Sequence, residues 1–194
     1  MAVTVTAKET LMAVLDDVRD VYFVSTVCDS ASDVAAITTA IELPVIEDSI
    51  EVNMGEVDAA YTKTTDGTIA AAKFTKGDPD CGFQLVSIAE TIASIFSDKV
   101  KVLSSGSMVD DSASLPAMET GDETITITGW GNGLKVTAGT LIMMSADHKH
   151  SVTFPNAQIT GSFVPTGGGD ANTGYWDCAF VPRPNAAGAS FYLG

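Results

Sequence analysis

The chain has 194 residues and a mass of 20.1 kDa, enough for one sizeable core. It carries 25 acidic against 10 basic side chains, a net charge of −15, and a surface that negative repels phosphate backbones, which excludes tight nucleic-acid binding. A hydrophobic content of 45% and a mean hydropathy of +0.22 exclude an intrinsically disordered chain.

No uninterrupted apolar run approaches the ~20 residues of a membrane-crossing helix. Met1 to Leu15 lacks the basic start and compact apolar stretch of a secretory signal. A soluble protein made inside the cell, without a membrane partner, is expected. Cys28, Cys81 and Cys178 are widely spaced and odd in number, which suggests neither a disulfide framework nor a zinc site; they read as small buried hydrophobes. Between Glu9 and Asp58 there are 12 acidic residues against the single Arg19. Solubility accounts for this; the sharper reading is a wall past which a polyanion slides without sticking.

The apolar content is dominated by Ala, Val and Ile, and with many Thr and 17 Gly it favours pleated strands joined by tight turns. In chain order, Leu11, Val14, Leu15, Val18 and Val21 recur on one helical face and predict an N-terminal helix within Lys8 to Val21. Val21 to Val27 follows as a strand, Asp29 to Asp33 as a turn, and Val34 to Ile41 as an apolar segment of ambiguous period. Beyond Pro44, Ile50, Val52 and Met54 alternate with polar residues in a half-buried strand, and Gly55 marks a bulge. Asp66-Gly67 sits between Val57 to Thr64 and Thr68 to Lys76 and predicts a β-hairpin.

Cys81 to Val86 is a strand that runs into a helix over about 88–97, which a Ser87-x-x-Glu90 capping box starts; Ile88, Ala89, Ile92, Ala93, Ile95 and Phe96 form its apolar stripe. Val100 to Leu103 is a short strand, and Ser104 to Gly121 a polar loop expected to engage a neighbour. Gly131-Asn132-Gly133 signals a second hairpin, between Thr124 to Thr128 and Leu134 to Met144. Val152 to Phe154 and Ala157 to Phe163 are strands split by Pro155. A Gly167-Gly168-Gly169 turn and the strand Tyr175 to Val181 precede a Pro/Ala/Gly-rich tail. The fold class that results is mainly β (α+β): a β-sandwich or partial barrel with one packed helix and the N-terminal one.

Chemistry-bearing patterns are sparse. His148 and His150, the only histidines, would share one face of a strand and are the candidate metal ligands; no third ligand lies nearby in sequence, and a surface strand end is the favoured reading. Gly129-Trp130-Gly131-Asn132-Gly133 imitates a nucleotide loop but has strands on both sides, so no cofactor is expected. No G-x-S-x-G, G-x-x-x-x-G-K-[ST] or H-E-x-x-H occurs, the acidic pairs Asp16/Asp17 and Asp110/Asp111 read as solvated, and nothing selects two of the 25 acids as a glycosidase pair. The chain is therefore not expected to be an enzyme. Trp130, Trp176, Tyr175 and Tyr192 could stack sugars, although aromatics in strands more often serve a core or a subunit interface.

Taken in order, Ile50 to Tyr61, Asp66-Gly67, Phe83 to Val86 with Ile88 to Phe96, and Phe154 to Ile159 with Tyr175 to Val181 resemble the pieces of a bacteriophage tail tube (major tail) protein. The resemblance covers roughly Leu43 to Val181. It implies a single domain, with an N-terminal extension over 1–42, a tube-like core over 43–181 and a tail over 182–194. It further implies a structural virion protein, assembled in the host cytoplasm, whose six copies form a ring in which inner strands join into one barrel. Stacked rings would make a tail tube with an acidic lumen, with other tail proteins as partners and genomic DNA bound only in transit. The alternative function is a carbohydrate-binding β-sandwich or a capsid decoration protein on the virion surface.

Overall fold

The computed structural model describes residues 18–103, 127–165 and 174–194, and within them the chain is mainly β with two short helices. Strand β1 (Val18–Val24) opens the described chain. Its first residues belong to the predicted N-terminal helix, which is corrected there: Val18 and Val21 pair with Ser145 and Met143 of a neighbouring strand, and sheet pairing overrides a helical spacing. The rest of that predicted helix lies outside the described residues, as do the 104–121 loop and the Gly167–Gly169 turn.

Asp29 to Asp33, read as a turn, holds the start of helix α1 (Ala31–Ala35), where the Ser30 hydroxyl caps by accepting from the Asp33 N–H. Strand β2 (Ile41–Leu43) ends at Pro44. Strand β3 (Glu51–Asn53) is short, with Ile50 and Met54 at its ends packed on the core. Gly55 follows at φ +90°. It is a break between two sheets, not the predicted bulge within one, because β4 (Val57–Lys63) leaves the main sheet and pairs with β5 (Ile69–Lys76). That pair is the predicted hairpin, with Gly67 at φ +85° and the Asp66 carboxylate accepting from Thr64 and the Thr68 N–H.

Strand β6 (Asp80–Leu85) leads to helix α2 (Glu90–Phe96). The capping box does not form and the helix begins later than predicted. The Trp176 indole N–H donates to the Ser87 carbonyl at 3.0 Å, and the Ser87 hydroxyl accepts from Ala89 N–H, so residues 87–89 stay outside the helix. Ile92, Ala93, Ile95 and Phe96 are buried as expected, but Ile88 is 85% exposed. Strands β7 (Lys99–Leu103) and β8 (Ile127–Trp130) pair as a second detached ribbon.

The predicted hairpin at Gly131-Asn132-Gly133 is corrected as well, since β8 pairs with β7 and not with β9 (Thr137–Ser145). Neither glycine adopts positive φ; the Gly131 N–H instead donates to the Asp98 carbonyl, and the Ser97 hydroxyl donates to the Gly131 carbonyl. Strand β10 (Ser151–Val164) runs through Pro155 without a break. The proline is absorbed by a register shift between Phe154 and Ala157, and its carbonyl accepts from Cys28 N–H. Strand β11 (Tyr175–Pro182) and the short β12 (Tyr192–Leu193) complete the chain.

The main sheet runs β2-β1-β9-β10-β11-β6-β3, with β12 beside β10, and its pairings are antiparallel. Alternation puts Phe23, Phe83, Leu141, Phe154, Ile159 and Phe180 into one core, with Phe180 5.1 Å from Phe154 and 6.0 Å from Phe83 between ring centroids. Helix α2 packs on β10, its Phe96 ring lying where a side chain at Gly161 would be. The chain beyond β2 crosses to β6, where Val45 bridges Leu85 and Ile46 N–H donates to Gln84. The ladder stops there, and the sheet curls without closing into a barrel.

The C-terminal segment, expected as a tail, folds back onto the body. Asn185 is buried, donating from Nδ2 to the Cys28 carbonyl and to the Tyr192 hydroxyl at 3.0 Å each and accepting from Ala189 N–H. Asn185→Ala is expected to cost about 2 kcal/mol by leaving buried polar groups unpaired; urea denaturation of the two proteins measures it, and an unchanged midpoint would show that the contacts add nothing.

Candidate assembly surfaces

Apart from each other, β4 and β5 pair with no described strand, and every residue of both is exposed. Their register sorts the ribbon into two faces. Val57, Ala59 and Tyr61 lie opposite Lys76, Phe74 and Ala72, while Asp58, Ala60 and Thr62 lie opposite Thr75, Lys73 and Ala71. One face is therefore apolar except for Lys76 at its end, and the other is mostly polar. On the apolar face Phe74 is 65% and Tyr61 53% exposed. A two-stranded ribbon with a wet apolar face is marginal on its own. Its outer backbone edges are likewise unpaired among the described strands.

A second apolar surface lies across the body. Helix α2, the loop after β8, and strands β10 and β11 enclose a groove of about 430 Å³, lined by Ile88, Phe96, Trp130, Leu134, Phe163 and Trp176 among others. Leu134 at its rim is 83% exposed. Lys135 anchors this wall, its ammonium reaching the Ser94 carbonyl at 2.7 Å and the Asp98 carboxylate at 3.0 Å. Of the four aromatics that the sequence offers for stacking sugars, the groove brings Trp130 and Trp176 together, while Tyr175 and Tyr192 are not among its lining residues. Trp176 is only 6% exposed, stacked against Phe96 and Phe163 with its N–H spent on Ser87. It is a wall of the core and presents no open ring to a sugar.

His148 and His150 do not share a strand face. They lie in the turn between β9 and β10, where His148 takes φ +56° and its Nε2 stands 2.9 Å from Asp20 Oδ2. Among the described residues no group of three or more His, Cys, Asp or Glu side chains is placed to hold a metal. The same turn is tied by Asp147, whose carboxylate accepts from the Ser145 hydroxyl and from Lys149 N–H; these bonds lower its pKa from 3.8 to about 2. The stabilisation it gives is complete above its ordinary value and fades as pH falls towards about 2.

The three cysteines are buried and unbridged. Burial pushes the thiols of Cys81 and Cys178 upward, with the Asp80 and Asp177 carboxylates adding to the effect. All three thiols are expected to react with a chromogenic disulfide reagent only after unfolding. Rapid labelling of Cys178 in the folded protein would show that its surroundings open.

A cleft of about 600 Å³ lies where the chain crosses from β2 to β6, lined by Val18, Arg19, Val45 and Ile46 with Glu47 and Asp48. No helix among the described residues is long and apolar enough to cross a membrane. Comparison of the chain with protein-family models, with curated proteins and with solved structures gives no match.

Proposed function

We propose that this chain is a structural subunit that works by assembling with copies of itself, as a bacteriophage tail tube protein does. The observation that carries this reading is the β4–β5 ribbon, which stands off the main sheet with an apolar face in water and unpaired edges. Such a ribbon gains most of its stability when a neighbour supplies the missing strand and the missing cover. The β7–β8 ribbon also forms a sheet separate from the main one, although its Trp130 packs on the core. In a ring, ribbons from successive copies would pair edge to edge until the ring closed, leaving no free edge.

The charge of the chain fits passage of DNA, because a net −15 repels a phosphate backbone and keeps it from adhering. Within this proposal the ring is hexameric, rings stack into a tube, and other tail proteins close its ends. The β4–β5 ribbon contributes none of this repulsion, since Lys63, Lys73 and Lys76 outnumber Asp58 and Asp66; the rest of the chain supplies it. Negative-stain microscopy and analytical ultracentrifugation of concentrated protein test the reading. Rings or tubes are expected, and a monomer under every condition would overturn it.

A further inference from the structure

We propose that the apolar face of the β4–β5 ribbon of one copy docks into the groove between α2, β8 and β10 of a second copy. The inference rests on the assembly reading and names the two surfaces that meet. Both are apolar, both are exposed, and they belong to one chain without covering each other. Phe74 and Tyr61 project from the ribbon, while Ile88 and Leu134 stand in water at the groove. A chain that displays a protruding apolar element and a separate apolar groove is complementary to its own copies in a head-to-tail sense. Such contacts propagate into closed rings or open filaments. Aromatic anchors entering an apolar recess are the usual centre of such an interface.

Charge makes the ribbon the part of the chain suited to meet a second copy. The body is strongly acidic, so two bodies repel as they approach. The ribbon, residues 57–76, has three lysines against two aspartates and is the part of the chain that nears another copy at least electrostatic cost. Lys73 lies on its polar face, opposite Ala60, and so remains in water when the apolar face is covered, while Lys76 ends the apolar face opposite Val57, at the root of the ribbon.

The test mixes two single-substitution proteins, Phe74→Cys and Leu134→Cys, with a short bismaleimide; the native thiols are buried. A cross-linked dimer is expected in the mixture and not in either protein alone. In parallel, Phe74→Asp and Leu134→Asp should each raise the concentration needed for assembly at least about tenfold. Because both positions are exposed, thermal unfolding should be unchanged. Wild-type protein that assembles, with no cross-link in the mixture and normal assembly of both aspartate variants, would overturn the docking and leave the assembly reading standing. Wild-type protein that stays monomeric would remove both. In a third protein that carries both Phe74→Cys and Leu134→Cys, a cross-link within one chain, with none in the mixture of single variants, would show the ribbon covering its own groove, which also overturns the proposal.

Discussion

Ile92→Asp is expected to leave no folded protein. Ile92 is buried on α2 beside Ala93, Ile95 and Phe96, in the cluster that joins the helix to β10 and β11. The substitution removes a buried aliphatic side chain and puts in its place a carboxylate without a partner. The combined cost is at least about 5 kcal/mol, comparable with the whole stability of an ordinary domain. Circular dichroism with chemical denaturation measures it. Ile88→Asp, one turn earlier in sequence but 85% exposed, should change stability by no more than about 0.5 kcal/mol. A soluble Ile92→Asp protein with a cooperative transition would show that α2 is not part of the core.

The second large effect is expected at Gly139, the third residue of β9, opposite Ala157 of β10 and next to Thr140, which pairs with Val24 of β1. A Cβ there would strike the Val24 carbonyl oxygen and come within 2.5 and 2.7 Å of the Phe23 ring. Phe23 is buried and the oxygen belongs to the backbone of a paired strand, so neither yields cheaply. Gly139→Ala should therefore destabilise by about 3 kcal/mol. Gly133→Ala, which meets no atom within 4 Å, should be neutral to slightly stabilising. Equal midpoints for the two variants in urea would show that β1 and β9 separate more easily than their packing suggests.

What was legible in the sequence was mostly local. Asp66-Gly67 announces its hairpin because the turn geometry is fixed by those residues themselves. The alternation in β6 and β11 is read directly because one face of each strand is buried. The misses have distant causes. The Ser87 capping box fails because an indole 89 residues away occupies the Ser87 carbonyl. Val18 and Val21 leave a helical pattern because β9, more than a hundred residues on, supplies their hydrogen bonds. Gly131-Asn132-Gly133 looks like a turn but is held by Asp98 and Ser97 at the end of α2.

The candidate surfaces were half visible for the same reason. The ribbon could be placed from its own residues, but its detachment from the sheet depends on pairings that β4 and β5 do not make. Trp130 and Trp176 could be named, yet not that they line one groove without Tyr175 and Tyr192. One signal for the groove was present and misread: Ile88 was placed in the apolar stripe of a helix, and Leu134 at the start of a strand. The polar or glycine-rich residues flanking each of them, Ser87 and Gly133, are the sequence hint that the chain there lies outside regular structure.

The root of the ribbon is narrow. Gly55 stands at positive φ where a Cβ would collide with the Gly77 carbonyl, and the Gly77 N–H donates to the Glu56 carbonyl at 2.8 Å. Neither glycine adds a side chain to that neck, and the Gly55 N–H donates to Asn53 Oδ1 at 2.9 Å, so the direction in which the arm points is set by main-chain torsion with Asn53 as its one side-chain tie among the bonds described. Mutations farther out can alter what the arm grips but not where it reaches. A side chain at residue 55 would swing the whole lever, and with it the curvature of anything the levers build.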